Sequence, residues 1–329
     1  MIGRRALTRG SWALTVWLSL LLLAAAGCAP TARPGAAPLL LAAAPIPQAA
    51  GTAPPGRIVF VAGGDLWQWQ EGALRQLTQG DRYEGPAWSP EGDQLAASIV
   101  GANHSDVVLL SPDGEFQARL TDNRGKLRIQ DSDWARLPAW SPDGTRIAYG
   151  SDVRTQDVAL WVVGVDGRNA RQLWLPPDTS GGIDRPSWSP DGREIALTTF
   201  RVGPSQIDVL TLANGRTHRA TNAANGAYDP AWSPNGEWIA YAARDGTRHD
   251  IWLVHPDGTG NARVTTSGRN RMPAWSPDGS WLAFLSLSEQ GFDVRVIAIP
   301  QEGEPEPGEG RVLVSGRAIE GPAGLTWGP

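Results

Sequence analysis

An all-β fold of six four-stranded sheets arranged in a ring, a six-bladed β-propeller, is predicted by three observations on this 329-residue sequence. A tryptophan phrase returns six times at intervals of 43–52 residues. Each return is accompanied by the same series of short strands and turns, and the two ends of the repetitive region each hold part of one unit. Periods of about 40–50 residues made of strands and turns are typical of propeller blades.

The first two strands of each unit form a hairpin around a fixed turn. The phrase Ala-Trp-Ser-Pro-acid/Asn-Gly occurs at 87–92, 139–144, 231–236 and 274–279, with a close variant at 187–192 and a truncated copy at 326–329. The repeated tryptophans are Trp88, Trp140, Trp188, Trp232, Trp275 and Trp327. In this turn the proline restricts its own φ, the Asp side chain hydrogen-bonds to the turn backbone, and the glycine adopts the positive φ that the turn requires. A short apolar strand such as Ile147-Ala148-Tyr149 begins seven residues after the Trp.

Two further strands complete the unit. The third is opened by an aspartate in each copy, at Asp65, Asp106, Asp157, Asp208, Asp250 and Asp293. The fourth ends near a Leu-Thr pair such as Leu77-Thr78. Residues that recur in every unit are best explained by architecture. We therefore expect the tryptophans to pack between blades and the aspartates to bind backbone amides where their strands begin.

The ends of the repetitive region predict how the ring closes. Residues 57–79 carry the second, third and fourth strands of a unit without a preceding Trp strand, whereas the C-terminus carries a lone Trp strand. The two ends complete one another, so the last strand is predicted to lie innermost in the first blade. Closure removes the sheet edges that would otherwise pair with other chains. The propeller domain is predicted to span 57–329.

The consensus Pro-x-Trp-Ser-Pro-Asp-Gly-x-x-Ile-Ala-Tyr, followed by Asp-Ile-Trp and Leu-Thr, resembles the WD-like propeller repeat of the TolB family. The resemblance covers residues 57–329 and implies a six-bladed propeller in the cell envelope, as in the periplasmic propeller of the Tol–Pal system. The same repeat also resembles that of peptidase propellers. It therefore specifies the fold and leaves the function open.

The N-terminus predicts secretion and a lipid anchor. Residues 1–27 combine a positive start at Arg4, Arg5 and Arg9 with an uncharged apolar run that ends in small residues before Cys28. This pattern is typical of a lipoprotein signal peptide in which Cys28 is lipidated; a plain secretory signal is the alternative. Residues 28–56, rich in Pro and Ala, are predicted to form a tether. We therefore expect the chain outside the cytoplasmic membrane, contacting the membrane only through its lipid.

Composition narrows the choice of partners. The net charge is −5 and the only lysine is Lys126, which argues against a nucleic acid partner. The single cysteine excludes a disulfide framework and a Cys-rich zinc site. The four histidines are scattered, and His104 and His249 fall on opposite blades, too far apart for ~2 Å metal–ligand bonds. We predict no metal and no cofactor, and a monomer.

Candidate binding residues lie where the blades differ. The loop entering each Trp strand opens beside the central channel, and two positions before its proline vary from blade to blade. The candidates are Glu84, Arg136, Asp184, Arg185, Tyr228, Asp229, Arg271 and Glu320, with Trp134 in the long loop 122–137. A ring of mixed charges around a funnel is typical of a site for a peptide or a polar small molecule. The alternative is that these residues bind no ligand and are surface charges that pair with one another.

Two functions remain open from the sequence. The first is a non-catalytic, lipid-anchored module that binds an envelope protein or peptide at the channel face. It is favoured because the sequence contains neither a Gly-x-Ser-x-Gly elbow nor a phosphate-binding loop. The alternative is a propeller enzyme that acts on a carbohydrate or another small substrate in the channel.

Overall fold

The computed structural model of the chain describes residues 54–124, 133–153, 155, 157–176, 179–201, 203–300 and 305–329. These residues form six four-stranded antiparallel sheets, which confirms the predicted fold class. We name the sheets blades A to F and give each from its innermost to its outermost strand.

Blade A consists of β24 (Leu325–Gly328), β1 (Arg57–Ala62), β2 (Asp65–Gln70) and β3 (Ala73–Gln76); blade B of β4 (Tyr83–Trp88), β5 (Leu95–Val100), β6 (Ser105–Leu110) and β7 (Phe116–Arg119); and blade C of β8 (Ala135–Trp140), β9 (Arg146–Ser151), β10 (Ala159–Gly164) and β11 (Arg171–Trp174). Blade D consists of β12 (Thr179–Trp188), β13 (Glu194–Arg201), β14 (Gln206–Thr211) and β15 (Arg216–Arg219); blade E of β16 (Ala227–Trp232), β17 (Ile239–Asp245), β18 (Arg248–Val254) and β19 (Ala262–Arg263); and blade F of β20 (Asn270–Trp275), β21 (Trp281–Ser288), β22 (Gly291–Ala298) and β23 (Arg311–Val314). A short 3-10 helix, Gly321–Ala323, precedes β24.

The ring closes as predicted. The C-terminal strand β24 pairs with β1, placing Trp327 opposite Ile58. Arg57 strengthens the join, because its Nε donates to the Pro329 carbonyl at 2.6 Å and its Nη2 to the Gly92 carbonyl at 2.7 Å. The guanidinium also lies 4.1 Å from the centre of the Trp88 ring, a cation–π contact. The first and last strands of the propeller therefore share one blade, and blade B packs on both.

The repeated tryptophans pack between neighbouring blades, which confirms their predicted structural role. Trp140, for example, is 8% exposed and lies in a core shared by blades B and C. Its indole N–H donates to the Ala87 carbonyl of the preceding blade at 3.1 Å. Trp188 and Trp275 make the same bond to Ala139 and Ala231. Burial of these rings supplies apolar area, and the indole bond fixes the spacing of adjacent innermost strands.

The repeated aspartates of blades A, B and E bind backbone amides, as predicted. Asp65, Asp106 and Asp250 accept hydrogen bonds from the amides of Gly80, Asn123 and Gly268. Each also accepts from a threonine hydroxyl on the loop that leads to the next blade. Because such charge-assisted bonds are among the stronger ones, the carboxylates hold the inter-blade loops in place. Within the described residues, no helix is long and apolar enough to cross a membrane.

Candidate functional site

The innermost strands of all six blades line a central tunnel with a cavity of about 430 Å³. Each strand starts at one end of the tunnel, which we call the mouth, and ends with its tryptophan near the other end, which we call the turn face. The Trp-Ser-Pro-Asp-Gly turns surround the turn face. The elements that vary between blades lie at the mouth, whereas those that repeat lie along the wall and at the turn face.

A β-bulge shapes the mouth in five blades. In blade B the pairing passes from Glu84 opposite Ser98 to Ala87 opposite Ala96, so two residues of β4 face one of β5. The innermost strands of blades C, D, E and F show the same shift. The second residue of each bulge is proline, which has no N–H to give to the ladder. A bulge of this kind redirects the side chain that precedes the proline.

The residue before the bulge proline adopts a left-handed backbone conformation. We call the six residues that lie three before each repeated tryptophan the mouth ring: Gly85, Leu137, Arg185, Asp229, Met272 and Gly324, with φ between 46° and 81°. Four of the six carry side chains. Left-handed φ costs a non-glycine residue about 1–2 kcal/mol. The bulges therefore hold four strained side chains at the mouth of the tunnel.

Arg185 and Asp229 are both members of the mouth ring and form an ion pair between blades D and E. The Arg185 Nε lies 3.2 Å from Asp229 Oδ1. From the next blade, the Arg271 Nε lies 3.5 Å from Asp229 Oδ2, but it makes no hydrogen bond. The Asp229 side chain is only 5% exposed. One buried carboxylate is thus shared by two guanidinium groups.

Arg185 also crosses the mouth. Its Nη2 donates to the carbonyl of Pro322 at 2.5 Å, in the segment that enters β24 of blade A. Blade A lies three blades from blade D and hence on the opposite side of the ring. The guanidinium rests on Gly324, where an added Cβ would stand 2.8 Å from Arg185 Nη1. The side chain therefore spans the tunnel entrance and contacts the far wall.

Two other predicted residues pair at the rim. The Arg136 Nη2 lies 2.7 Å from Glu84 Oε2, joining blades C and B. Arg136 is half exposed, so the pair contributes at most about 1 kcal/mol. Asp184 precedes Arg185 and accepts a hydrogen bond from its amide at 3.0 Å. Burial raises the pKa of the Asp184 carboxyl, and the nearby charge of Arg185 opposes that rise.

Tyr228 and Trp134 lie close to the mouth but outside the tunnel wall. The Tyr228 ring is turned toward His249 of its own blade, with the ring centres 6.2 Å apart. Burial, reinforced by the charge of Arg271, lowers the pKa of His249. Trp134 is half-buried, and its amide donates to Asp152 at 2.8 Å. Most of the loop that follows Arg124, residues 125–132, lies outside the described residues, as does Cys28.

The predicted place of Glu320 in the ring is wrong. Distance to the proline groups Glu320 with Glu84, since both precede a proline by two residues, but Pro322 stands five residues before Trp327 and outside any bulge. Ala323, four residues before Trp327, is the counterpart of Glu84, and Gly324 takes the mouth-ring position at φ +81°. Glu320 lies beside β1, where its Oε1 accepts from the Gly64 amide at 2.8 Å. Counting back from the tryptophan gives the correct register.

These features define the class: a closed six-bladed propeller whose tunnel has a charged, strained mouth. Residues 153–293 match the family model described as PD40, the TolB beta propeller domain. The chain is 32% identical over 81 residues to a Tol-Pal system protein TolB of Anaeromyxobacter dehalogenans, covering 25% of this chain and 18% of that protein. It is 26% identical over 159 residues to an uncharacterized peptidase, YuxL, of Bacillus subtilis, covering 36% of this chain and 24% of that protein.

A solved structure agrees on the fold. TolB from Acinetobacter baumannii superposes with a TM-score of 0.64 and 17% identity, covering 83% of this chain and 67% of that one. The chain is a six-bladed β-propeller whose repeat and fold resemble those of TolB. It spans a quarter or less of the length of the two curated relatives named above.

Proposed function

We propose that this chain is a non-catalytic binding module of the cell envelope, anchored through a lipid on Cys28, that takes a segment of a partner protein at the mouth of its tunnel. The observation that carries the proposal is the tunnel itself, lined by all six blades and edged by side chains that differ from blade to blade. A repeat supplies the scaffold, and departures from the repeat supply recognition.

The chemistry at the mouth supports binding. The charged side chains there are engaged with one another between blades, as in Arg185–Asp229 and Arg136–Glu84. Such pairs orient donors and acceptors before a ligand arrives, which reduces the entropy lost on binding. Leu137 and Met272, on opposite sides of the ring, add apolar surface. A mouth with fixed polar groups and two apolar sides suits a short stretch of polypeptide.

The size of the tunnel is compatible with a short segment. Its 430 Å³ falls within the roughly 300–1,000 Å³ of known small-ligand sites. A whole protein domain cannot enter such a volume. The partner is therefore expected to offer a loop or a chain end, while the rest of it lies against the rim.

Site-specific photocrosslinking in the producing cells tests this proposal. A photoreactive amino acid at Leu137, which lines the mouth, is expected to yield crosslinked protein. The matched control is Phe116, 57% exposed on the outermost strand of blade B. Crosslinks at Leu137 that are absent at Phe116 support the proposal. No crosslinks at Leu137, or the same products at both positions, contradict it.

The lipid anchor is tested separately. Cys28→Ser removes the thiol that would carry the lipid and is expected to move the chain from the membrane pellet to the soluble fraction. Metabolic labelling with an alkyne fatty acid is expected to mark the unchanged chain and not the variant. A variant that stays in the membrane pellet contradicts the anchor but leaves the tunnel proposal intact.

A further inference from the structure

We infer that the mouth of the tunnel recognises a carboxylate on the bound segment, through Arg185 and Arg271. This inference rests on the proposed function and names the chemical group that the site takes. It follows from three features of the two guanidinium groups: the partners they have, the partners they lack, and the surroundings they share.

Arg185 has one charged and one neutral partner. Its Nε faces Asp229, whereas its Nη2 donates to the neutral Pro322 carbonyl across the mouth. A carboxylate binds a guanidinium more strongly than a backbone carbonyl does, because the bond is charge-assisted and can be bidentate. An incoming carboxylate can therefore replace Pro322 on Arg185. In doing so it releases the side chain from the far wall and opens the entrance.

Arg271 is incompletely satisfied. Its buried Nε makes no hydrogen bond, although it lies 3.5 Å from Asp229 Oδ2, which also accepts none. The Arg271 side chain is two-thirds buried, with 33% exposed. A guanidinium with an unfilled donor in such a position is costly to leave unpaired. A third of the Arg271 side chain remains exposed, and a ligand carboxylate that contacts this part together with Arg185 would complete the pairing of two guanidinium groups that share one acid.

The arginine cluster around Asp229 has more positive than negative charge, which favours an anion. Two guanidinium groups share the single Asp229 carboxylate, and Glu84 is committed to Arg136. Asp184, the residue before Arg185, accepts its hydrogen bond from the Arg185 backbone amide at 3.0 Å, and burial raises its pKa. The apolar neighbours Leu137 and Met272 suit a carboxylate that follows or borders an apolar residue. The ligand group is therefore the end of a chain or an acidic side chain beside apolar residues.

Peptide pools test the inference on the purified full chain. Three pools of N-acetylated random hexapeptides are compared: free C-terminal acids without Asp or Glu, C-terminal amides containing Asp or Glu, and amides without any acid. Bound peptide is measured by mass spectrometry after equilibrium dialysis. At least one acid-bearing pool is expected to be retained tenfold or more over the acid-free pool. Retention of the free-acid pool alone indicates that the site binds a C-terminal carboxylate. Retention of the amide pool with Asp or Glu alone indicates that it binds an acidic side chain.

Variants identify the residues responsible. In Arg185→Gln/Arg271→Gln the preference for acid-bearing peptides is expected to fall toward onefold. The control Arg193→Gln, at a side chain 83% exposed beside a turn-face loop, is expected to keep it. Thermal melts confirm that each variant is folded. Equal retention of all three pools, or a preference that survives the double substitution, overturns the inference.

The same experiment separates the inference from the proposed function. If all pools bind equally and Leu137→Trp, which narrows the mouth, abolishes retention, the tunnel binds peptides without reading a carboxylate. In that case the proposed function stands and the inference fails. If no pool is retained by the unchanged chain, both fail.

Discussion

The two ends of the tunnel are built from the same six strands but behave differently. At the turn face, blades B to F each contain a bond from the turn serine to an Asp or Asn of the same turn: Ser141, for example, donates to Asp143 at 2.5 Å. At the mouth the bonds run between blades, as in Arg185 to Pro322, 137 residues apart. Apart from the bond of Arg57 to Gly92 at the ring closure, these turn-face bonds lie within single blades. The mouth depends on the assembled ring, which makes it the end that can differ and respond to a ligand.

The largest effect is expected from removing one of the repeated tryptophans, because they pack between the blades. Trp140→Ala removes a ring that is 8% exposed and its bond to Ala87, at an expected cost of about 3–5 kcal/mol in the free energy of unfolding. Trp134→Ala, at a half-buried tryptophan outside the repeat, serves as the control and is expected to cost about 1 kcal/mol or less. Urea unfolding measures both. Equal costs would contradict the role assigned to the repeated tryptophans.

A matched pair of glycines compares the two ends directly. Gly85 at the mouth and Gly144 at the turn face have similar φ, +60° and +66°. A Cβ on Gly85 would meet the Leu137 backbone at 2.8 Å, whereas a Cβ on Gly144 meets nothing within 4 Å. Gly144→Ala is expected to cost about 1 kcal/mol from backbone strain alone. Gly85→Ala is expected to cost about 2–3 kcal/mol because the clash adds to the strain. Thermal melts that rank them in reverse would refute this contrast.

Acid should weaken the turn face selectively. The hydrogen bond from Ser141 lowers the pKa of Asp143 to about 2, from an ordinary value of 3.8. A lowered carboxyl pKa gives stability that is present above about pH 4 and lost as the pH falls through 2. Because the group is half exposed, we expect about 0.5–1 kcal/mol. Asp143→Ala should flatten that part of the stability–pH curve. A variant whose curve parallels the unchanged chain between pH 4 and 2 would speak against the turn bond.

At the mouth we expect the opposite pH dependence of stability, and the smallest effect of the four. Burial raises the pKa of Asp184, so the folded state is favoured by protonation. Its contribution is complete below the ordinary carboxyl pKa and is lost as the pH rises through the raised value. Asp184→Asn should therefore melt slightly higher than the unchanged chain at pH 7, and the difference should vanish at about pH 3.5. An asparagine variant that melts lower at pH 7 would mean that the charge at Asp184 stabilises the ring.

Much of the scaffold was predictable because the forces that specify it are short in range. The Ser-Pro-Asp-Gly turn is closed by hydrogen bonds between residues two to five positions apart, so each copy of the motif predicts a hairpin. The bulges were also predictable, since the proline two residues before each of five tryptophans has no N–H to donate to the hydrogen-bond ladder of the sheet. The register of the sixth unit follows from Trp327 and not from Pro322, because this proline stands five residues before its tryptophan instead of two, and Glu320 therefore lies outside the mouth ring.

The sequence by itself determined the number of blades, the order of strands and the closure of the ring, because a repeat places the same local chemistry in each unit and the two partial units complement one another. It also indicated where the blades differ. Only the tertiary structure decided which of those differing residues meet. Arg185 reaches Pro322 and Gly324 across the tunnel because the bulge turns its side chain inward and the ring sets the distance to the opposite wall. Contacts between residues far apart in the chain depend on side-chain direction and on assembly, and neither is visible in a local pattern.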